Sequence, residues 1–183
     1  MKTQKNNSWL ANLLIIVATL GRLLPHPANF TPVEAVSLVG GAKLSKINRW
    51  FVPFIALFLS DLLLKVFFNT TPFSFVTLFI YASFAINILL GQQIGGEKRY
   101  LKLGTYSLIG GLQFFLITNF GVWMEGLLYA PTAAGLAQCY AMALPFLKNT
   151  LLGNLCWSFG LFFAIERSQL WIKNRSLSPS VST

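Results

Sequence analysis

Charged side chains are scarce in this sequence. Only 10% of its 183 residues are Asp, Glu, Lys or Arg, whereas 55% are hydrophobic. Soluble domains carry about 25% charged residues, so this chain has too few to cover a soluble surface. The mean hydropathy of +0.62 and the 17 Phe and 5 Trp residues lead to the same conclusion. The composition excludes an ordinary soluble enzyme and predicts an integral membrane protein.

Groups that bind metals or act as nucleophiles are also few. The chain has two cysteines, Cys139 and Cys156, and one histidine, His26. The cysteines lie in apolar runs without CxxC spacing, so a zinc site would lack partners. One histidine and scattered acids offer little for a catalytic triad or an intramembrane enzyme. We therefore expect no enzymatic activity, no metal and no cofactor.

Acidic residues number only five, which leaves a net charge of +9. In a soluble protein this excess would suggest nucleic acid as a partner. Here the basic residues lie between long apolar runs and form no patch within a known nucleic-acid module. We expect no nucleic-acid binding and interpret the charge as a signal for orientation in the bilayer.

Apolar runs dominate what is present, and a spanning helix needs about 20 such residues. The runs are residues 9–24, 32–42, 49–68, 73–90, 103–117 and 151–165. The first has no small-residue cleavage site after it, so we read it as an uncleaved helix. The second is predicted to be short or half-spanning, and residues 131–146 to form an extra helical segment before the last helix.

The basic residues define a topology for these runs. With a cytoplasmic N-terminus, all basic residues except Arg22, Lys65 and Lys148 fall in cytoplasmic segments, as the positive-inside rule requires. The predicted fold is an all-α bundle of about six transmembrane helices with both termini cytoplasmic. We expect a cytoplasmic N-terminal tail over residues 1–8, one transmembrane domain over residues 9–166 and a disordered cytoplasmic tail over residues 167–183.

Charges within the hydrocarbon region cost about 2.5–3.5 kcal/mol each, so each one needs a reason. Asp61 and Lys65 are four residues apart in one run, and that spacing predicts an intramembrane ion pair on one helix face. Such a pair either fixes helix packing or contacts a ligand or proton.

Polar and aromatic residues gather in the predicted outer segments. An amide, a carboxylate and flat rings can together hold a small polar molecule with a planar part. The predicted ligand-binding residues are Asn119, Trp123, Glu125 and Tyr129 after the fifth run, with Arg22, His26, Asn29 and Glu34 from the opposing loop. The alternatives are interfacial anchoring for the rings and a local role at a helix start for Glu34.

Two stretches of the chain carry a resemblance to a known family. They are residues 22–33, R-L-L-P-H-P-A-N-F-T-P-V, and residues 114–123, F-F-L-I-T-N-F-G-V-W. Over roughly residues 10–165 the chain resembles a bacterial family of small multispanning membrane proteins whose activity is not established. The general plan is similar to that of the S subunits of energy-coupling-factor vitamin transporters, which implies a pocket near the outer face.

The resemblance implies a multi-pass protein of the bacterial cytoplasmic membrane. Its expected function is to bind a vitamin- or precursor-like small molecule for uptake. Its expected partners are the lipid bilayer, that ligand and a transporter ATPase or coupling complex. The alternative is a structural or assembly protein of the cell envelope. That protein would bind partner proteins through the glycine-rich faces at Gly40-Gly41, Gly110-Gly111, Gly153 and Gly160.

Overall fold

The computed structural model describes residues 8–70 and 73–177, and all regular secondary structure within them is helical. The helices are α1 (Ser8–Gly21), α2 (Val33–Lys43), α3 (Asn48–Phe68), α4 (Val76–Gly91), α5 (Arg99–Glu125) and α6 (Ala133–Leu177). The predicted all-α class is therefore confirmed for this part of the chain.

Helix α2 is the centre of the bundle. It contacts each of the other five helices, and residues 33–41 are all buried. Because most of its residues are apolar or small on every side, this helix packs in the core of the bundle. Its 11 residues extend about 16 Å, roughly half the thickness of a bilayer's hydrocarbon core. The structure thus agrees with a short second helix.

Helices α2 and α4 cross with their backbones in contact. A Cβ atom added to Gly91 would collide with the carbonyl oxygen of Leu38, and one added to Gly41 would collide with the carbonyl oxygen of Ile88. Glycine at both positions is what allows this approach, as in other close helix crossings. The crossing fixes the position of α2 against α4.

Two helices in the described part of the chain, α3 and α5, are long and apolar enough to cross a membrane. Helices α1 and α4 are apolar but shorter. The outer face of α3 carries a stripe of exposed apolar side chains, which includes Phe51, Ile55, Phe58 and Leu62. Their spacing of three and four residues places them along one side of the helix.

Helix α5 is longer than its apolar run predicts. The run ends at residue 117, but α5 continues to Glu125. Thr118 Oγ1 donates to the carbonyl oxygen of Phe114 at 2.8 Å, and Asn119 Nδ2 donates to that of Phe115 at 2.7 Å. Because these polar side chains bond one turn back along the helix, they do not interrupt it.

Helix α6 joins two predicted elements into one of 45 residues, with Pro145 in its interior. The prediction of a separate helical segment over residues 131–146 is thus wrong. Proline removes only one helical hydrogen bond, and this half of α6 is held on α5, where the Tyr140 hydroxyl donates to the Leu116 carbonyl at 2.7 Å. The helix also continues to Leu177, so residues 167–177 are helical rather than a disordered tail. Residues 1–7 and 178–183 of the two predicted tails lie outside the described residues.

The α2–α4 crossing predicts the effect of a single methyl group. Gly91→Ala should lower the free energy of unfolding by about 1–3 kcal/mol, because the helices cannot separate without opening the core. Gly160→Ala is the matched control, since no atom lies within 4 Å of a Cβ at that position, and it should be neutral or raise stability by up to about 1 kcal/mol. Thermal unfolding of the purified protein in detergent measures both. Equal midpoints for the two variants would contradict the crossing.

Candidate functional site

Arg22 and Asp61 join the end of α1 to α3. Arg22 Nη1 donates to Asp61 Oδ1 at 2.6 Å and to the hydroxyl of Ser60 at 2.6 Å. The predicted partner, Lys65, is exposed and forms no ion pair with Asp61 among the described residues. The predicted Asp61–Lys65 pair is therefore wrong.

Asp61 pairs with Arg22 and not with Lys65 because the contact between helices contributes more free energy than a pair within one helix. An ion pair four residues apart on a helix contributes about 0.2–0.5 kcal/mol. A hydrogen bond to a charged group in a partly buried position contributes about 1.5–3 kcal/mol. Only 12% of the Asp61 side chain is exposed, so the contact with Arg22 from the neighbouring helix prevails.

Residues 22–32, here called the first loop, fold back against the bundle. The two ends of the loop lie close together, because Gly21, the last residue of α1, packs against the ring of Pro32. Within the loop, Asn29 adopts a left-handed conformation with φ of 63°. A Cβ added to Gly153 of α6 would lie 3.0 Å from Phe30 Cα and 3.4 Å from the Asn29 carbonyl oxygen. The loop therefore rests directly on the backbone of α6.

A cavity of about 360 Å³ lies between the first loop and helices α2 to α5. Its polar lining comes from Arg22, His26, Asn29, Thr31 and Glu34. Its apolar lining comes from Val33, Leu57, Leu64, Ile80, Phe84 and Phe114. The structure thus gathers all four residues that were predicted from the opposing loop around one cavity.

Glu34 is the most unusual group in this lining. The residue is only 5% exposed, and its Oε2 atom has no hydrogen-bond partner in the described structure. No cation within residues 8–70 and 73–177 pairs with it, because Arg22, the nearest candidate in the lining, is bound to Asp61. An isolated carboxylate in such surroundings costs several kcal/mol, so this side chain lacks the partner that its burial demands.

The other four predicted residues lie away from the cavity. Trp123 Nε1 donates to the carbonyl oxygen of Ala130 at 3.0 Å, and Glu125 Oε1 accepts from the backbone N–H of Phe75 at 3.2 Å. Asn119 bonds within α5, and Tyr129 is half-buried in the connection to α6. These contacts hold the end of α5 and the start of α6, and none of the four residues lines the cavity.

A cluster of amide side chains, two of them buried and that of Gln113 half-buried, joins α4, α5 and α6 and was not predicted from the sequence. Gln113 Nε2 donates to the carbonyl oxygen of Ser83 and to Asn87 Oδ1 at 3.1 and 3.3 Å. Asn154 Nδ2 donates to the carbonyl oxygen of Ser107 at 2.8 Å. The signal was a single amide in each of three apolar runs, which is the usual mark of polar contact between membrane helices. No group of three or more His, Cys, Asp or Glu that could hold a metal occurs in the described residues.

A second charged cluster lies at the opposite end of α2. Glu166 accepts hydrogen bonds from Lys43 at 2.8 Å and from the Tyr100 hydroxyl at 2.7 Å. It also forms an ion pair with Arg99, whose Nε atom lies 3.1 Å from Oε1. Partial burial raises the pKa of the Glu166 carboxyl, but the hydrogen bonds from Lys43 and Tyr100 and the charges of Lys43 and Arg99 lower it to below its usual value. The Lys43 ammonium also lies 3.8 Å from the centre of the Phe162 ring.

The Arg22–Asp61 contact gives a direct test of which cation binds Asp61. Asp61→Asn should lower the free energy of unfolding by about 1–3 kcal/mol, because Arg22 loses a charged acceptor. Lys65→Gln, one turn further along the same helix, should change it by less than about 0.5 kcal/mol. Thermal unfolding in detergent separates the two. A loss of stability in Lys65→Gln as large as that in Asp61→Asn would restore the pair within α3.

Comparison with known proteins places the chain in a family. No curated protein and no solved structure matches it. The model of a family of unknown function, DUF6580, matches residues 2–175, which is nearly the whole chain. This agrees with the resemblance to a family without an established activity. The chain is a member of the DUF6580 family of unknown function.

Proposed function

We propose that this protein binds a small molecule in the cavity under the first loop, as part of an uptake system of the bacterial cytoplasmic membrane. The observation that carries the proposal is the Glu34 carboxylate, which is buried in the cavity wall without a partner. Binding cavities for small molecules are typically about 300–1,000 Å³ and combine apolar walls with a few convergent polar groups. The cavity of about 360 Å³ fits this description.

The membrane placement we propose is six crossings with both termini in the cytoplasm. The two membrane-capable helices and the exposed apolar stripe of α3 support a lipid environment, since soluble surfaces rarely expose such continuous apolar patches. The cluster of Lys43, Arg99 and Glu166 lies at one end of α2 and the first loop at the other. With basic residues inside, the first loop and its cavity face outward.

In the mechanism we propose, the ligand enters the cavity from outside and displaces the first loop from its resting contacts. Release to the cytoplasm would then need a partner, and an ATPase or coupling complex of the energy-coupling-factor kind fits the size and the expected topology. The support for this release step is architectural. The binding step is the part that rests on this chain's own residues.

The alternative, an envelope assembly protein, relies on open glycine faces. Gly110 packs against the side chains of Asn87 and Asn154, and Gly153 packs against Phe30, so both serve contacts within the bundle. Gly160 has open space beside it and is the position where a partner helix could approach. The cavity and its unpaired carboxylate have no role in this alternative, and for that reason we favour ligand binding.

The proposed topology predicts which loops face outward. In a background with Cys139→Ala and Cys156→Ala, a membrane-impermeant maleimide should label Ala28→Cys, in the first loop, on intact cells. It should label Gly95→Cys, in the α4–α5 connection, only after the membrane is permeabilised. Both positions are exposed, so access depends on sidedness alone. Labelling in the opposite order would reverse the orientation.

The proposed binding predicts a small molecule that copurifies with the protein. Native mass spectrometry of the protein, extracted gently from its own membranes, should show one reproducible added mass. Thr31→Trp, which places a large ring in the cavity lining, should reduce the bound fraction by about tenfold or more, since an occupied cavity excludes the ligand. Leu128→Trp is the matched control, because Leu128 is 75% exposed and does not line the cavity. An added mass that survives Thr31→Trp would refute the cavity as the site.

A further inference from the structure

We infer that the cavity selects a small organic cation, a protonated amine carried on a flat apolar group. The inference rests on the proposed function, because it names the class of ligand for the same site. It follows from three features of the lining: the balance of charge, the unfilled hydrogen-bond acceptor and the aromatic wall.

The charged groups that face the cavity do not balance. Arg22 lines it, but its guanidinium is bonded to Asp61 at 2.6 Å and to Ser60 at 2.6 Å, so this pair is neutral as a unit. His26 is exposed at the loop, with Nδ1 2.9 Å from the carbonyl oxygen of Pro27. Glu34 remains as an acid without a counter-charge, so burial disfavours its ionised form, and a ligand with one positive charge would supply the partner that stabilises the carboxylate.

The unfilled acceptor defines what the cation must offer. Glu34 Oε2 is buried and has no donor in the described structure. A buried acceptor left without a partner is costly, and an N–H⁺ group satisfies both its hydrogen bond and its charge. A primary amine, an amidine or a protonated ring nitrogen carries such a group.

The wall beside Glu34 is apolar and partly aromatic. The Phe84 and Phe114 rings lie with centroids 6.1 Å apart, and both line the cavity with Ile80. Aromatic faces attract cations, and flat apolar groups pack well against them. The cavity therefore offers a carboxylate for the charged end of a ligand and rings for its body.

An anionic ligand is the competing class, since Glu34 lies in the first turn of α2 and helix N-termini favour anions. That positive end already faces the carboxylate of Glu34 itself. An incoming anion would find no free arginine in the lining, because Arg22 is already bonded to Asp61, and it would oppose the ionised form of Glu34 in the same cavity. The arrangement thus disfavours a second anion.

The test compares three probes of similar shape and different charge: 2-phenylethylamine, which is a cation at neutral pH, 2-phenylethanol and phenylacetate. Binding to the protein in lipid nanodiscs is measured by calorimetry. The cation should bind about tenfold or more tightly than either of the others. Glu34→Gln should remove this preference, whereas Glu125→Gln, at a carboxylate outside the cavity, should retain it.

Further variants separate the inference from the function on which it rests. Thr31→Trp should abolish the binding of the cation. If it does, but the wild-type protein binds all three probes equally or Glu34→Gln keeps the preference, the cation class is overturned and the binding cavity stands. If no probe binds in a manner that depends on Thr31, both are overturned. Should Glu34→Gln fail to fold, Glu34→Asp takes its place, and it should weaken binding while the preference for the cation remains.

Discussion

The burial of α2 is the constraint on which the rest of this structure depends. An 11-residue helix surrounded on all sides by five others is shorter than its neighbours. Helix α3 has 21 residues and extends about 31 Å, whereas α2 extends about 16 Å. The difference leaves a space at one end of the bundle that no helix fills. The first loop covers this space, and the cavity is what remains beneath it.

The sequence was sufficient for the features that depend on local pattern. Apolar runs and their polar interruptions located α1 to α5, and the brevity of α2 was visible from the short run at residues 32–42. The grouping of Arg22, His26, Asn29 and Glu34 also followed from proximity along the chain, since a loop and the helix start after it stay together in space. Membership in a family without an established activity was predicted from two short motifs, residues 22–33 and 114–123.

The features that were missed depend on which helix faces meet. The partner of Asp61 was assigned along α3, but the stronger contact comes from Arg22 across the α1–α3 interface. The amides of Asn87, Gln113 and Asn154 lie on three different helices, and no spacing within one run places them together. Residues 131–146 and 151–165 were predicted as two separate segments, yet packing against α5 accompanies one helix that continues through Pro145. In each case tertiary contact outweighs a local preference.

The seat of the first loop on Gly153 has a mechanical consequence. The contact includes backbone atoms of the loop, with Phe30 Cα 3.0 Å and the Asn29 carbonyl oxygen 3.4 Å from the position of an added Cβ, so rotation of the Phe30 side chain alone cannot remove it. Close-packed surfaces of this kind pass from one arrangement to another rather than deform gradually. The loop must therefore either separate from α6 as one unit or move together with α6. Helix α6 is a continuous helix of 45 residues that includes Glu166 of the Lys43–Glu166 cluster. A tilt of α6 where it contacts the loop would therefore also move Glu166 at the opposite end of α2.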